Sequence, residues 1–322
     1  MSLLRLVLVI TAVQCQELRN TQTFVTEPAG LKEVLEGETI LLECSVENKL
    51  GVLQWTKDDF GLGTDRELSG FTRYRMVGEA EGIFNLEIVN ATLEDIGRYQ
   101  CQVGATETVK PIRSTYAEVS VHAPPEAPVI TAGPKLVLRE GKTSMVQCIS
   151  KGGRPASSIR WLSNGVELVD GVETKVEEMP ESRRMATVST LTFLVNKTLQ
   201  GQELECEAGN TVEANPRIVS TVLEVQYPPV VTMKADPTSI YEGDKVRVVC
   251  EVEAVPAQVE YRWEISGQEI QEARGASELL IEVDRDMHGK TVSCIARNTL
   301  GQSTAQLTLD VKCKFLFLFI RF

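Results

Sequence analysis

The chain has 322 residues, a formal net charge of -12, 24% charged and 43% hydrophobic residues, and two histidines. That acidic balance argues against nucleic acid, whose recognition rests on clustered Lys and Arg facing phosphates. His122 and His288 have no second histidine or cysteine at metal-ligand spacing, and no GxSxG, HExxH or phosphate-loop motif occurs, so no enzyme activity, metal or cofactor is expected.

The stretch Met1 to Cys15 sets Arg5 before the apolar run Leu6 to Val13. It reads as a secretory signal peptide over residues 1–15, because a bilayer span needs about 20 apolar residues. The destination is then extracellular and oxidising, where cysteines pair.

Three sets follow: Cys44, Trp55 and Cys101; Cys148, Trp161 and Cys206; Cys250, Trp263 and Cys294. In an immunoglobulin sandwich the two cysteines join strands B and F across the sheets, and a strand C tryptophan packs on that bridge. The repeat therefore predicts an all-β chain of three tandem immunoglobulin-like sandwiches with three disulfides, over residues 22–122, 126–226 and 229–312. The first is variable- or intermediate-like. The second and third are shorter and intermediate- or constant-like.

In the first domain, alternation places Ile40, Leu42, Cys44 and Val46 of strand B inward, with Leu53 and Trp55 of strand C and Tyr99, Cys101 and Val103 of strand F. Outward on C and F fall Val52, Gln54, Thr56, Gln100, Gln102 and Gly104, none of them charged. Charge depletion marks the centre of protein interfaces, where desolvating an ion is costly. The hairpin Lys57 to Gly63 sets Phe60 beside this face, either displayed as an anchor for a partner or folded back over its own sheet edge. Asp95 to Cys101 carries Tyr99 two residues before the cysteine, the tyrosine-corner pattern; the later domains have Leu204 and Val292 there. The sequons at Asn90 and Asn196 each follow a predicted strand E, so sugars there would sit near the E-to-F turns and leave the broad faces bare.

Ala123-Pro124-Pro125-Glu126-Ala127-Pro128 and Gln226-Tyr227-Pro228-Pro229 mark the two joints. Proline cannot donate to a sheet ladder and stiffens the chain, so a semi-extended rod is expected. Residues 313–322 form an atypical tail, in which Cys313 is left over from the three pairs as a free thiol able to cross-link.

The run Val52-Leu53-Gln54-Trp55-Thr56-Lys57-Asp58-Asp59-Phe60-Gly61-Leu62-Gly63, with Arg66 to Tyr74 and Met76-Val77-Gly78, resembles the first domain of the irregular-chiasm, Kirre and nephrin-like adhesion proteins. Pro124-Pro125-Glu126-Ala127-Pro128 and Gly152-Gly153-Arg154-Pro155-Ala156 extend the resemblance, which covers roughly the three domains. It implies cell-cell recognition of the kind used in neural wiring, muscle-precursor fusion and filtration barriers. The implied partners are nephrin-like or same-family immunoglobulin proteins, homophilic pairing being one option. Carried over by position, the contact residues are Gln54, Thr56, Asp58, Phe60, Gln100 and Gln102. The family usually has five such domains, a membrane span and a cytoplasmic tail. Alternatives of other classes are a secreted decoy of the same receptors and a passive matrix protein.

Overall fold

The computed structural model describes residues 21–180 and 182–313; the expected signal peptide and residues 314–322 of the expected tail lie outside the described residues. In the first domain the strands are β1 (Thr23–Thr26), β2 (Gly30–Leu35), β3 (Ile40–Leu42), β4 (Ser45–Glu47), β5 (Leu53–Lys57), β6 (Phe60–Gly63), β7 (Tyr74–Val77), β8 (Asn85–Ile88), β9 (Gly97–Val103), β10 (Ile112–Arg113) and β11 (Ala117–His122). One sheet runs β2-β11-β9-β5-β6, with β10 against β9; opposite it lies β3-β8-β7, and β1 pairs with β4. Alternating apolar residues drive this layering: Leu42, Trp55, Leu86, Ile88 and Tyr99 are fully buried between the sheets.

Each sandwich repeats the same centre. Disulfides join Cys44 to Cys101, Cys148 to Cys206 and Cys250 to Cys294. Beside them Trp55, Trp161 and Trp263 are completely buried. Each indole N–H is satisfied, on Phe84 O at 2.7 Å, Ser189 Oγ at 3.0 Å and Ala276 O at 2.8 Å. An unpaired indole N–H in an apolar core would be costly, and the partners fix the ring orientation. By the chain-entropy model, closing the first loop of 57 residues stabilises the fold by roughly 4 kcal/mol.

The tyrosine corner is made in the first domain, where the Tyr99 hydroxyl donates to Asp95 O at 2.8 Å. Behind it Asp95, only 1% exposed, takes two bonds from Arg73 at 2.6 and 2.8 Å and one from Tyr74 at 2.5 Å. Burial pushes the Asp95 carboxyl upward, but the bonds from Arg73, Tyr74 and the Thr92 N–H outweigh it and hold the group below the ordinary carboxylate range. Burial and the bond to Asp95 push Tyr74 up to about 12. Leu204 and Val292 stand buried at the corresponding places in the later domains.

The second domain opposes the sheet Val129–Ile130, Thr143–Gly153, Met185–Leu194, Val172–Glu178 to one of Val166–Leu168, Ser158–Ser163, Glu203–Gly209 and Arg217–Asp236. That last strand passes through the second joint, where the prolines were expected to mark and stiffen the connection. It runs unbroken for 20 residues, pairing with Glu203–Gly209 through its first half and with Lys245–Val255 of the third domain through its second. The ladder accommodates Pro228 and Pro229 because its register shifts between Tyr227 and Val230, leaving both prolines without a paired position.

Both joints carry a matching side-chain clamp. Asn210 Nδ2 donates to Ala123 O at 2.8 Å and Pro155 O at 2.9 Å, and Asn298 Nδ2 donates to Tyr227 O at 3.0 Å and Pro256 O at 3.4 Å. The first joint has more. Arg184 holds Glu36 through two bonds of 2.7 and 3.0 Å, and Arg183 donates to Ile96 O at 3.2 Å, so a hairpin of the second domain grips the base of the first.

Candidate partner-binding face

The face is built on β5, which pairs with β9 so that Gln54 lies opposite Gln102 and Thr56 opposite Gln100. β6 adds the outer edge, with Phe60 opposite Lys57 and Gly61 opposite Thr56. Asp58 and Asp59 make the turn between them, both left-handed at φ 49° and 71°. A tight hairpin turn needs that conformation, and aspartate is among the few side chains that tolerate it. The turn is anchored to the sheet: the Asp58 N–H donates to Arg98 O at 2.8 Å, and its Oδ1 accepts the Arg98 N–H at 2.9 Å. The Tyr116 hydroxyl donates to Asp59 Oδ1 at 2.8 Å, and the Arg98 guanidinium stacks 4.9 Å above the Tyr116 ring.

This anchored turn projects Phe60, which is 80% exposed and does not fold back over its own edge. Gln54 lies across the next residue, its Oε1 3.3 Å from where a Cβ on Gly61 would be. Gln54 and Gln102 are half-buried, and Asp58 is exposed.

Two of the six expected contact residues are not displayed. Thr56 and Gln100 are buried at 3% and 6% exposure. The Gln100 amide donates to Ser114 O at 2.7 Å and its Oε1 accepts from Gln102 at 2.8 Å, while the Thr56 hydroxyl donates to Gln100 O at 3.4 Å. The period-two rule sends both outward from the sandwich, but the segment carrying Ser114 runs alongside β9 and takes the Gln100 amide, and both side chains end buried. They therefore floor the face, and Gln100 orients Gln102.

Several residues enter the site that alternation alone did not single out. Arg98, Asp59 and Tyr116 form the polar support of the hairpin. A groove lined by Val52, Gln54, Thr64, Gln102, Gly104 and Arg113 flanks the glutamine pair. At the other end of β5, the Lys57 ammonium donates to Glu94 O, and burial lowers its pKa despite nearby Asp95 and Asp58. Among the described residues no cluster of His, Cys, Asp and Glu could hold a metal ion.

Three disulfide-bonded sandwiches, each with a buried tryptophan beside its bridge, define a protein of the immunoglobulin superfamily. Immunoglobulin domain models match residues 21–121 and 228–298, and a CD80-like C2-set immunoglobulin domain model matches residues 128–216. The chain is 36% identical to the irregular chiasm C-roughest protein of Drosophila melanogaster and 34% identical to the human Kin of IRRE-like protein 1, over 90% and 91% of its length. It superposes on the crystal structure of Rst D1-D2 with a TM-score of 0.61 and 41% identity, covering 64% of this chain and 100% of that one. The chain belongs to the irregular chiasm and Kirre-like family of immunoglobulin-superfamily cell adhesion proteins. It spans 41% and 38% of the two full-length relatives. No helix among the described residues is long and apolar enough to cross a membrane.

Proposed function

We propose that the chain acts outside the cell as an adhesion and recognition module, binding in trans a nephrin-like or same-family immunoglobulin ectodomain through the first domain. Phe60 is the anchor, Gln54 and Gln102 supply adaptable hydrogen bonds beside it, and Thr56 and Gln100 act from beneath. The observation that carries this reading is the 80% exposure of a phenylalanine on a hydrogen-bonded hairpin, next to an uncharged glutamine pair. A large apolar side chain held in solvent by a rigid turn loses little entropy on docking, which is the property of an interface anchor. The second and third domains serve as spacers. A single face of this size gives modest affinity, and many copies on apposed surfaces reinforce it.

The test is Phe60→Asp, measured by surface-immobilised binding to family ectodomains. A loss of about 2 kcal/mol, roughly thirtyfold in Kd, is expected with unchanged thermal unfolding. Wild-type binding by a folded Phe60→Asp protein would place the interface elsewhere.

A further inference from the structure

The three domains share one fold but dress one sheet differently. In the first, the outward side of β7 and β8 carries the ion pair Arg75 to Glu87; in the third, the equivalent sheet carries Arg247 to Glu278 and Lys234 to Glu251. In the second domain the ion pair on this sheet, Lys175 to Glu177, lies within the edge strand Val172–Glu178, and among the described residues none is on its two central strands. Neither segment 143–149 nor segment 186–194 contains a charged residue, in a chain whose composition is 24% charged. At the foot of that sheet Met145 is 66% exposed and Leu194 68% exposed. They sit on adjacent strands, with Met145 opposite Thr192 and Leu194 opposite Thr143. Bare apolar surface of this kind marks a contact site or an aggregation hazard.

Directly after Leu194 the strand ends and the sequon Asn196-Lys197-Thr198 begins. Asn196 is exposed and caps a short 3-10 turn, its Oδ1 accepting the Thr198 N–H at 3.0 Å. The third domain places Asp284 at the equivalent cap, where no sugar can attach. Asn196 lies two residues, roughly 7 Å of extended chain, beyond Leu194. An N-acetylglucosamine pair outreaches that distance and presents both apolar ring faces and acetyl methyls.

We infer that Asn196 carries an N-linked glycan whose first sugars pack over Met145 and Leu194, so that the uncharged segments 143–149 and 186–194 of the second domain form a carbohydrate-covered face beside the charged edge strand Val172–Glu178. In the modification, Asn196 Nδ2 bonds the anomeric carbon of N-acetylglucosamine and releases a proton to solvent. The sugar-phosphate bond of a lipid-diphosphate oligosaccharide donor breaks, and the lipid diphosphate leaves with the electron pair. The threonines at 190 and 192 extend the same face as hydrogen-bonding surface for sugar hydroxyls, with Thr190 Oγ1 already accepting from Gln147 at 3.2 Å. Under this inference sugar covers the central strands, where sequon position alone led to the expectation of bare broad faces.

This inference rests on the extracellular reading, and the experiment separates the two. The full-length chain is produced in animal cells, and the secreted protein is mapped by mass spectrometry after enzymatic deglycosylation, which converts an occupied asparagine to aspartate. Occupancy of Asn196 is expected. Thr198→Ala removes the sequon but keeps the backbone N–H that Asn196 accepts, so the turn survives; it should bind roughly threefold more of an apolar-surface dye than wild type. Adding Met145→Thr and Leu194→Thr should return dye binding to the wild-type level. An unoccupied Asn196 in secreted protein, or unchanged dye binding by Thr198→Ala, overturns the inference alone. A chain retained in the cytosol with reduced cysteines overturns the extracellular reading and this inference with it.

Discussion

Gly97 and Asp58 compete for one space: a Cβ on residue 97 would lie 2.6 Å from Asp58 Oδ2. The carboxylate that occupies this space is the one that ties the turn to Arg98, and the turn is what holds Phe60 out. The absence of a side chain at residue 97 is therefore a condition for the anchor's position, two strands away from it.

Gly97→Ala should displace the Asp58 carboxylate and loosen the hairpin. The expected cost is about 1 to 2 kcal/mol in stability of the first domain, from forced repacking. Partner affinity should fall with it, by about 1 kcal/mol or roughly fivefold in Kd, because Phe60 is then presented by a mobile turn. Paired measurements of thermal unfolding and binding check this. Unchanged binding would mean that the turn's anchoring to Arg98 does not set the presentation of Phe60.

Asp95 should make the first domain sensitive to acid. Its carboxyl sits below the ordinary range when folded, so the stabilisation is fully present above the unfolded value of about 3.9 and is lost as pH falls through the lower folded value. At neutral pH, Asp95→Asn should lower stability by about 2 kcal/mol, since it removes charged bonds from Arg73 and Tyr74. On moving to about pH 2 the wild type should lose more of its stability than the variant. Unfolding curves at the two pH values decide it; parallel losses would assign the acid response to other groups.

The two joints should respond differently to the same substitution. Asn210→Ala removes donors to Ala123 O and Pro155 O at the first joint, which has no strand running through it. Small-angle scattering should then show a broader distribution of end-to-end distances. Asn298→Ala makes the same deletion at the second joint, where Arg217–Asp236 is paired on both sides, and should leave the scattering profile nearly unchanged. Equal broadening by the two variants would show that the shared strand does not stiffen the joint.

Much of the fold was legible because its determinants are local. The cysteine and tryptophan spacing, the inward alternation of β5 and β9 and the tyrosine two before Cys101 are consequences of strand geometry. What alternation reports, however, is the side of a sheet and not whether another segment covers it. Thr56 and Gln100 are outward by period and buried in fact, and the Gln100 amide is taken by Ser114 O, 14 positions away, a contact that no local pattern encodes. The second joint was legible only as a stiff connection marked by Pro228 and Pro229; that one strand passes through it depends on a register shift no local pattern encodes. Nor did sequence reveal that Arg183 and Arg184 reach back to the first domain, since those contacts join residues about 90 to 150 positions apart.

The strand Arg217–Asp236 has a mechanical meaning for a protein stretched between two surfaces. Its hydrogen bonds stand perpendicular to its length, to Glu203–Gly209 at one end and to Lys245–Val255 at the other. Tension applied along this strand therefore loads both ladders in shear, many bonds together, instead of opening them one by one. The first joint has one backbone pair, Ala123 with Arg154, and side-chain clamps in place of such a shared strand, so on the proposed adhesive role it is the weaker of the two under load.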